Sequence, residues 1–134
     1  MTTEHKLYDT VVINYDSIYY TLNGKYHRTD GPAYIYYNAD ETLNCECYIL
    51  NDKYHRTDGP AVIYYNRDGG IYSEHYFLNG QNHRVDGPAA IYYNKDGSIN
   101  IVIYWLYGKT LSKDEFLEQQ QNFAGKLKWD HNQQ

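Results

Sequence analysis

Apolar and polar positions alternate in short runs along this chain, and the alternation returns on a fixed beat. Between about residue 18 and residue 109, segments such as Tyr76-Phe77-Leu78 and Ala61-Val62-Ile63-Tyr64-Tyr65 rise out of polar stretches. Their β-branched and aromatic side chains favour strands. The polar stretches repeat: K-Y-H-R-T-D-G-P-A starts at Lys25 and again at Lys53, and Q-N-H-R-V-D-G-P-A starts at Gln81. His27, His55 and His83 therefore stand 28 residues apart, with no insertion or deletion. Leu22, Leu50, Leu78 and Leu106 keep the same interval, as do Tyr20, Tyr48, Tyr76 and Tyr104. A period of this kind marks an array of like units that bury their apolar faces against one another.

Each unit carries two turn signals. Asn23-Gly24 and Asn79-Gly80 lie between alternating segments and suit the two positive φ angles of a type I′ hairpin, with Asn51-Asp52 and Tyr107-Gly108 as weaker equivalents. The second signal, N-R-D-G at Asn66–Gly69 and N-K-D-G at Asn94–Gly97, suits a longer type I turn with glycine in the left-handed position, and Asn38–Glu41 lacks that glycine. Nine residues separate Gly69 from Asn79 and thirteen separate Gly80 from Asn94, so the partners cannot pair straight through. Three or four residues must leave the ladder. The D-G-P tripeptides at Asp30, Asp58 and Asp86 are the expected place, since proline lacks the ladder donor and glycine relaxes the backbone.

These signals predict a mainly β fold: an elongated antiparallel meander of β-hairpin repeats with a C-terminal capping helix, in one domain over residues 1–134. Leading strands occupy 7–21 and hairpin repeats 22–110. The cap spans 111–128, because Ser112-Lys113-Asp114-Glu115 is a capping box and Phe116, Leu117, Gln120, Phe123, Ala124 and Leu127 follow at mostly helical spacing. Phe116 and Phe123 should be buried, Gln119–Gln121 should face solvent, and residues 1–6 and 130–134 should fray.

Composition sharpens the picture. The chain has 134 residues, and its 27 Leu, Ile, Val and Phe are few for a core, whereas its 18 tyrosines can fill one while keeping their hydroxyls wet. With 12 Lys and Arg against 17 Asp and Glu, a net charge of -5 argues against wholesale coating of nucleic acid or anionic lipid. No basic start precedes a long apolar run and no stretch could span a membrane, so the expectation is a soluble, cytoplasmic chain. Cys45 and Cys47, two apart in a strand, share one face, where a bridge would be strained and a four-ligand zinc site is out of reach.

With N-G-K-Y-H-R-T-D-G-P-A, Y-Y-N-R-D-G and Y-F-L-N-G in view, residues 8 to 110 resemble the MORN repeat family, in particular a longer variant of large DNA viruses and tailed phages. The chain departs from MORN units in having H-R-x-D-G-P where they carry a histidine-glycine step, and in its 28-residue period. The resemblance implies β-hairpin arrays, scaffolding, dimerisation and partner or membrane binding, with no catalytic residues. A viral source would imply an inhibitor of a host protein, acting in host cytoplasm.

Two constellations are candidates for function. His27, Arg28 and Asp30, with His55, Arg56, Asp58 and His83, Arg84, Asp86, could form an enzyme or metal site. However, equivalent residues two strands apart lie roughly 9 to 10 Å from each other, too far to share one ion. The alternative is structural: Asp accepts backbone donors at the bulge, Gly31, Gly59 and Gly87 supply the turn, and Arg or His braces it. The second constellation is aromatic. Tyr36, Tyr64 and Tyr92, or Tyr37, Tyr65 and Tyr93, form columns that either fill the core or offer a platform to a partner. One aromatic face is expected to stay exposed, and either that face or the His-Arg edge of His27, Arg28, His55, Arg56, His83 and Arg84 is the expected binding surface. The expected function is a non-enzymatic scaffold for a protein partner or a second copy, without a cofactor or metal. The alternatives are a signalling-nucleotide, small-ligand or single-stranded nucleic-acid binder that uses Tyr stacking and Arg against phosphate, and a metal-dependent hydrolase built on His and Asp.

Overall fold

The computed structural model describes residues 7–132, and side chains through residue 122. The architecture is the expected antiparallel meander with one C-terminal helix. Its main sheet is built from β1 (Thr10–Ile13), β2 (Ser17–Leu22), β4 (Tyr34–Tyr37), β5 (Leu43–Cys47), β8 (Val62–Tyr65), β9 (Ile71–His75), β12 (Ala90–Tyr93), β13 (Ile99–Leu106) and β14 (Lys109–Leu111), hydrogen-bonded in that order. The two-residue strands β3 (Lys25–Tyr26), β7 (Lys53–Tyr54) and β11 (Gln81–Asn82) fold back on the end of β2, on β6 (Ile49–Leu50) and on β10 (Phe77–Leu78). The chain thus makes a short hairpin and a long one in every unit.

The turn chemistry accounts for both. At the short hairpins, φ is positive at both central residues: 53° and 77° at Asn23-Gly24, 49° and 66° at Asn51-Asp52, 48° and 81° at Asn79-Gly80, 47° and 78° at Tyr107-Gly108. That is the type I′ signature, and asparagine and glycine tolerate it best. At the long hairpins Gly69 and Gly97 hold φ of 90° and 87°, their amides bond to Asn66 and Asn94, and the register slips by one residue after Tyr64 and Tyr92. Glu41 holds the equivalent place with φ 67°. A left-handed conformation costs a residue with a Cβ about 1–2 kcal/mol, which exceeds glycine's extra chain entropy. Glu41→Gly is therefore expected to raise stability by about 0.5–1 kcal/mol, read from the urea midpoint, and Gly97→Ala to lower it.

Cross-strand register sorts side chains into rows. On one face run Ser17, Tyr36, Cys45, Tyr64, Ser73, Tyr92 and Ile101, each opposite the next, and beside them Tyr19, Tyr34, Cys47, Val62, His75, Ala90 and Ile103. In the first row tyrosines from Tyr36 to Tyr92 alternate with small residues, which leaves room for the bulky rings. The core gathers here: Ala33, Cys45, Cys47, Ile49 and Val62 are buried together, with Tyr34, Tyr36 and Phe77 packed against them. Both cysteines are free, and the hydrogen bond to Cys45 together with burial pushes the Cys47 thiol up. The opposite face alternates Ile35, Glu46, Ile63, Glu74 and Ile91. Glu46 and Glu74 accept the hydroxyls of Tyr65 and Tyr93, and burial and that carboxylate push Tyr93 up to about 12.

Helix α1 (Lys113–Asn132) closes the far end. The capping box forms as expected, with the Glu115 amide on the Ser112 hydroxyl at 3.2 Å and the Ser112 amide on the Glu115 carboxylate at 3.3 Å. Phe116 is buried, its ring 4.6 Å from that of Tyr104. The helix runs beyond residue 128, through residues 130–132 that were expected to fray; Phe123's side chain and residues 1–6, 133 and 134 lie outside the described residues. The glutamine run is not wholly solvated either, because the Gln120 amide donates to the Val85 carbonyl at 3.0 Å. Among the described residues no helix is long and apolar enough to cross a membrane.

Candidate functional site

The H-R-x-D-G-P loops leave the ladder at one residue. Tyr20 accepts from the His27 amide and donates to the Ala33 carbonyl, and Tyr48 and Tyr76 do the same for His55 and Ala61 and for His83 and Ala89. Residues 28–32 are thus held by their two ends, an excursion of five residues where three or four were expected. Inside it, the arginine does most of the holding. Arg28, Arg56 and Arg84 lay their guanidinium carbons 3.9, 3.8 and 4.0 Å from the ring centres of Tyr20, Tyr48 and Tyr76. Nη1 donates to the carbonyls of Pro32, Pro60 and Pro88 at 3.1–3.2 Å, and Nε to Asp30, Asp58 and Asp86 at 2.7–3.0 Å.

That geometry corrects two expectations. The aspartates take the arginine Nε, not backbone donors, and Asp58 stays 82% exposed, so they orient the arginines without anchoring the turns. The glycines serve space: a Cβ on Gly31, Gly59 or Gly87 would stand 2.8–3.0 Å from the guanidinium carbon of Arg28, Arg56 or Arg84. Each guanidinium is sandwiched between a tyrosine ring and a glycine.

The histidines bind one unit to the next. Nδ1 of His27, His55 and His83 accepts the backbone amide of Asn51, Asn79 and Tyr107 at 3.1, 3.0 and 2.8 Å, which puts the ring proton on Nε2. The arginine amides reach the same neighbours, on the carbonyls of Ile49, Phe77 and Trp105. Between successive loops lie two like clefts of about 370 and 410 Å³, floored by Tyr48 and Leu50 and by Tyr76 and Leu78. Among the described residues no three His, Cys, Asp or Glu side chains come together.

Burial lowers the pKa of His83, which therefore folds neutral. Its unfolded value near 6.5 lies above its folded one, so the unfolded chain binds the extra proton first. Full stability is expected above pH 6.5, with a progressive loss as the pH falls towards the lowered folded value. Urea midpoints between pH 8 and 5 should show it, and His83→Gln should flatten that slope.

The aromatic columns part company. Tyr36 packs on the buried cluster, whereas Tyr64 and Tyr92 flank His75 edge-on, their ring centres 5.9 and 5.4 Å from the imidazole, and Tyr72 meets Tyr92 at 6.1 Å. His75 is hydrogen-bonded to Ser73 at 3.1 Å, and burial lowers its pKa. Tyr64, Tyr72 and Ile101 remain 40–50% exposed around it. Reading the repeat for what recurs passes over His75, Ser73, Tyr72 and Ile101, because the equivalent positions in the preceding unit are Cys47, Cys45, Asn44 and Ser73. The available signal was the interruption of the period at these positions. Compared with family models, with curated proteins and with solved structures, the chain finds no match.

Proposed function

We propose that this chain is a non-enzymatic repeat scaffold that binds a protein partner through the face formed by Tyr64, Tyr72, Tyr92 and Ile101. The observation that supports the reading is a division of labour. The recurring polar residues are occupied within the fold, whereas rings and an aliphatic side chain stand exposed together around a neutral histidine. Tyrosine suits such a surface because it brings large apolar area at small entropic cost and a hydroxyl that can stay wet. A kinship with MORN units, with the host-directed inhibition and cytoplasmic setting that a viral source would bring, belongs to the same proposal and rests on the motifs. The nucleotide-binding alternative would use the clefts between loops, where Arg56 and Arg84 line the wall but already hold a carboxylate, a carbonyl and a ring.

The test is a partner assay with two variants. Tyr72→Ser/Ile101→Ser should keep the melting temperature and weaken capture of the partner at least about tenfold, since truncating central anchors costs 2 kcal/mol or more. Val85→Thr, which restores the residue of the first two units on the opposite edge, should capture as well as the parent. Equal capture by the double variant would remove the proposal. Binding of a mononucleotide that Arg84→Ala abolishes would favour the alternative.

A further inference from the structure

The meander has two ends, and they are finished differently. At the far end β14 lies next to α1. At the near end, among the described residues, β1 has a neighbour on one side only, which is β2. Which backbone groups point outwards follows from two bonds: the Asn14 amide donates to Ser17, and the Tyr20 amide turns away from β1 to Ala33. Along β1, residues 10, 12 and 14 therefore face β2, and the N–H and C=O of Val11 and Ile13 face away from the sheet.

Natural edges are guarded by lysine, proline, a bulge or an inward charge. This one reads Thr-Val-Val-Ile and carries no lysine, proline or charge. Its outward pair is also exposed, with Val11 at 40% and Ile13 at 75%.

We propose that β1 pairs with β1 of a second copy, antiparallel, across a two-fold axis at Val12. The choice of a second copy rests on self-complementarity. Placing Val11 opposite the partner's Ile13 and Ile13 opposite the partner's Val11 lets the outward amides and carbonyls exchange bonds in both directions. It sets the exposed aliphatic side chains of one face against their own kind and brings Val12 beside the partner's Val12 on the other. The contact is antiparallel, like every other pairing in the sheet, and places no charge opposite a like charge within the strand. This interface is distinct from the tyrosine face, so either can fail alone.

Sedimentation of the full chain over a concentration series should show mass rising from 15.8 kDa to twice that value. Val11→Pro removes an outward donor and leaves the β1–β2 ladder intact, and should raise the dissociation constant at least tenfold. Ile13→Lys keeps every backbone group but brings charge into the contact, and should do the same if the proline variant folds poorly. Tyr72→Ser/Ile101→Ser should dimerise normally. Amide exchange at Val11 and Ile13 should slow with concentration. The proposal is overturned by a monomer at every concentration, by those amides being protected in a monomer, or by a dimer that both edge variants leave intact.

Discussion

Arg56→Ala is expected to lower the stability of the folded chain by about 2–4 kcal/mol, a large effect for a residue on a surface loop. The side chain lies on the Tyr48 ring, and its Nη1 answers the Pro60 carbonyl and its Nε Asp58. Truncation uncovers the ring and leaves a part-buried carbonyl without its donor. Lysine should recover little, because a single ammonium cannot lie flat on the ring while reaching both acceptors. Gly59→Ala should cost about 1–2 kcal/mol, since a Cβ 3.0 Å from the guanidinium carbon forces Arg56 to move. In Arg56→Ala/Gly59→Ala the second loss should largely vanish, because the crowded group has gone. Asp58→Ala should cost no more than about 1 kcal/mol, as expected of an exposed ion pair. Urea midpoints of the five variants check this order, and an Asp58 loss equal to that of Arg56 would return the anchoring role to the aspartate.

That order could not be read from the sequence, and the reason is instructive. Period, turn types and capping box are local: Asn-Gly states its φ angles and Ser112 to Glu115 states a helix start without any neighbour. The meander, its hairpins and its cap were legible on those grounds. The loops are not local. His27 meets Asn51, 24 residues on, and whether Asp58 takes a backbone amide or the Arg56 Nε depends on where the excursion folds back over Tyr48. Asp-Gly-Pro suggested an Asx-type turn, and the guanidinium took the carboxylate first. The tyrosine face was half legible. Spacing put Tyr36, Tyr64 and Tyr92 in one row, but only packing separates Tyr36, laid on the core, from Tyr64 and Tyr92 beside His75.

Phe116→Ala should produce the other large effect, confined to one end of the molecule. Phe116 is 2% exposed and packed on Tyr104, and the Gln120 side-chain amide ties the helix to the loops by donating to the Val85 carbonyl. Removing a buried phenylalanine costs about 3–5 kcal/mol where the fold must bear it. In a repeat array each unit rests on its neighbours, so the loss falls on the cap rather than on the whole sheet. Most helical stability in proteins comes from packing, so helical ellipticity of the undocked cap should melt well before the strand signal instead of together with it. Undocking also uncovers Tyr104 and Leu106, the apolar floor of the last unit, and sedimentation should then show association that grows with temperature. Leu117→Ala, at a side chain 43% exposed on the same turn, should shift neither signal by more than about 0.5 kcal/mol. If Phe116→Ala kept a single transition with full helix content, α1 would be held by contacts other than its ring.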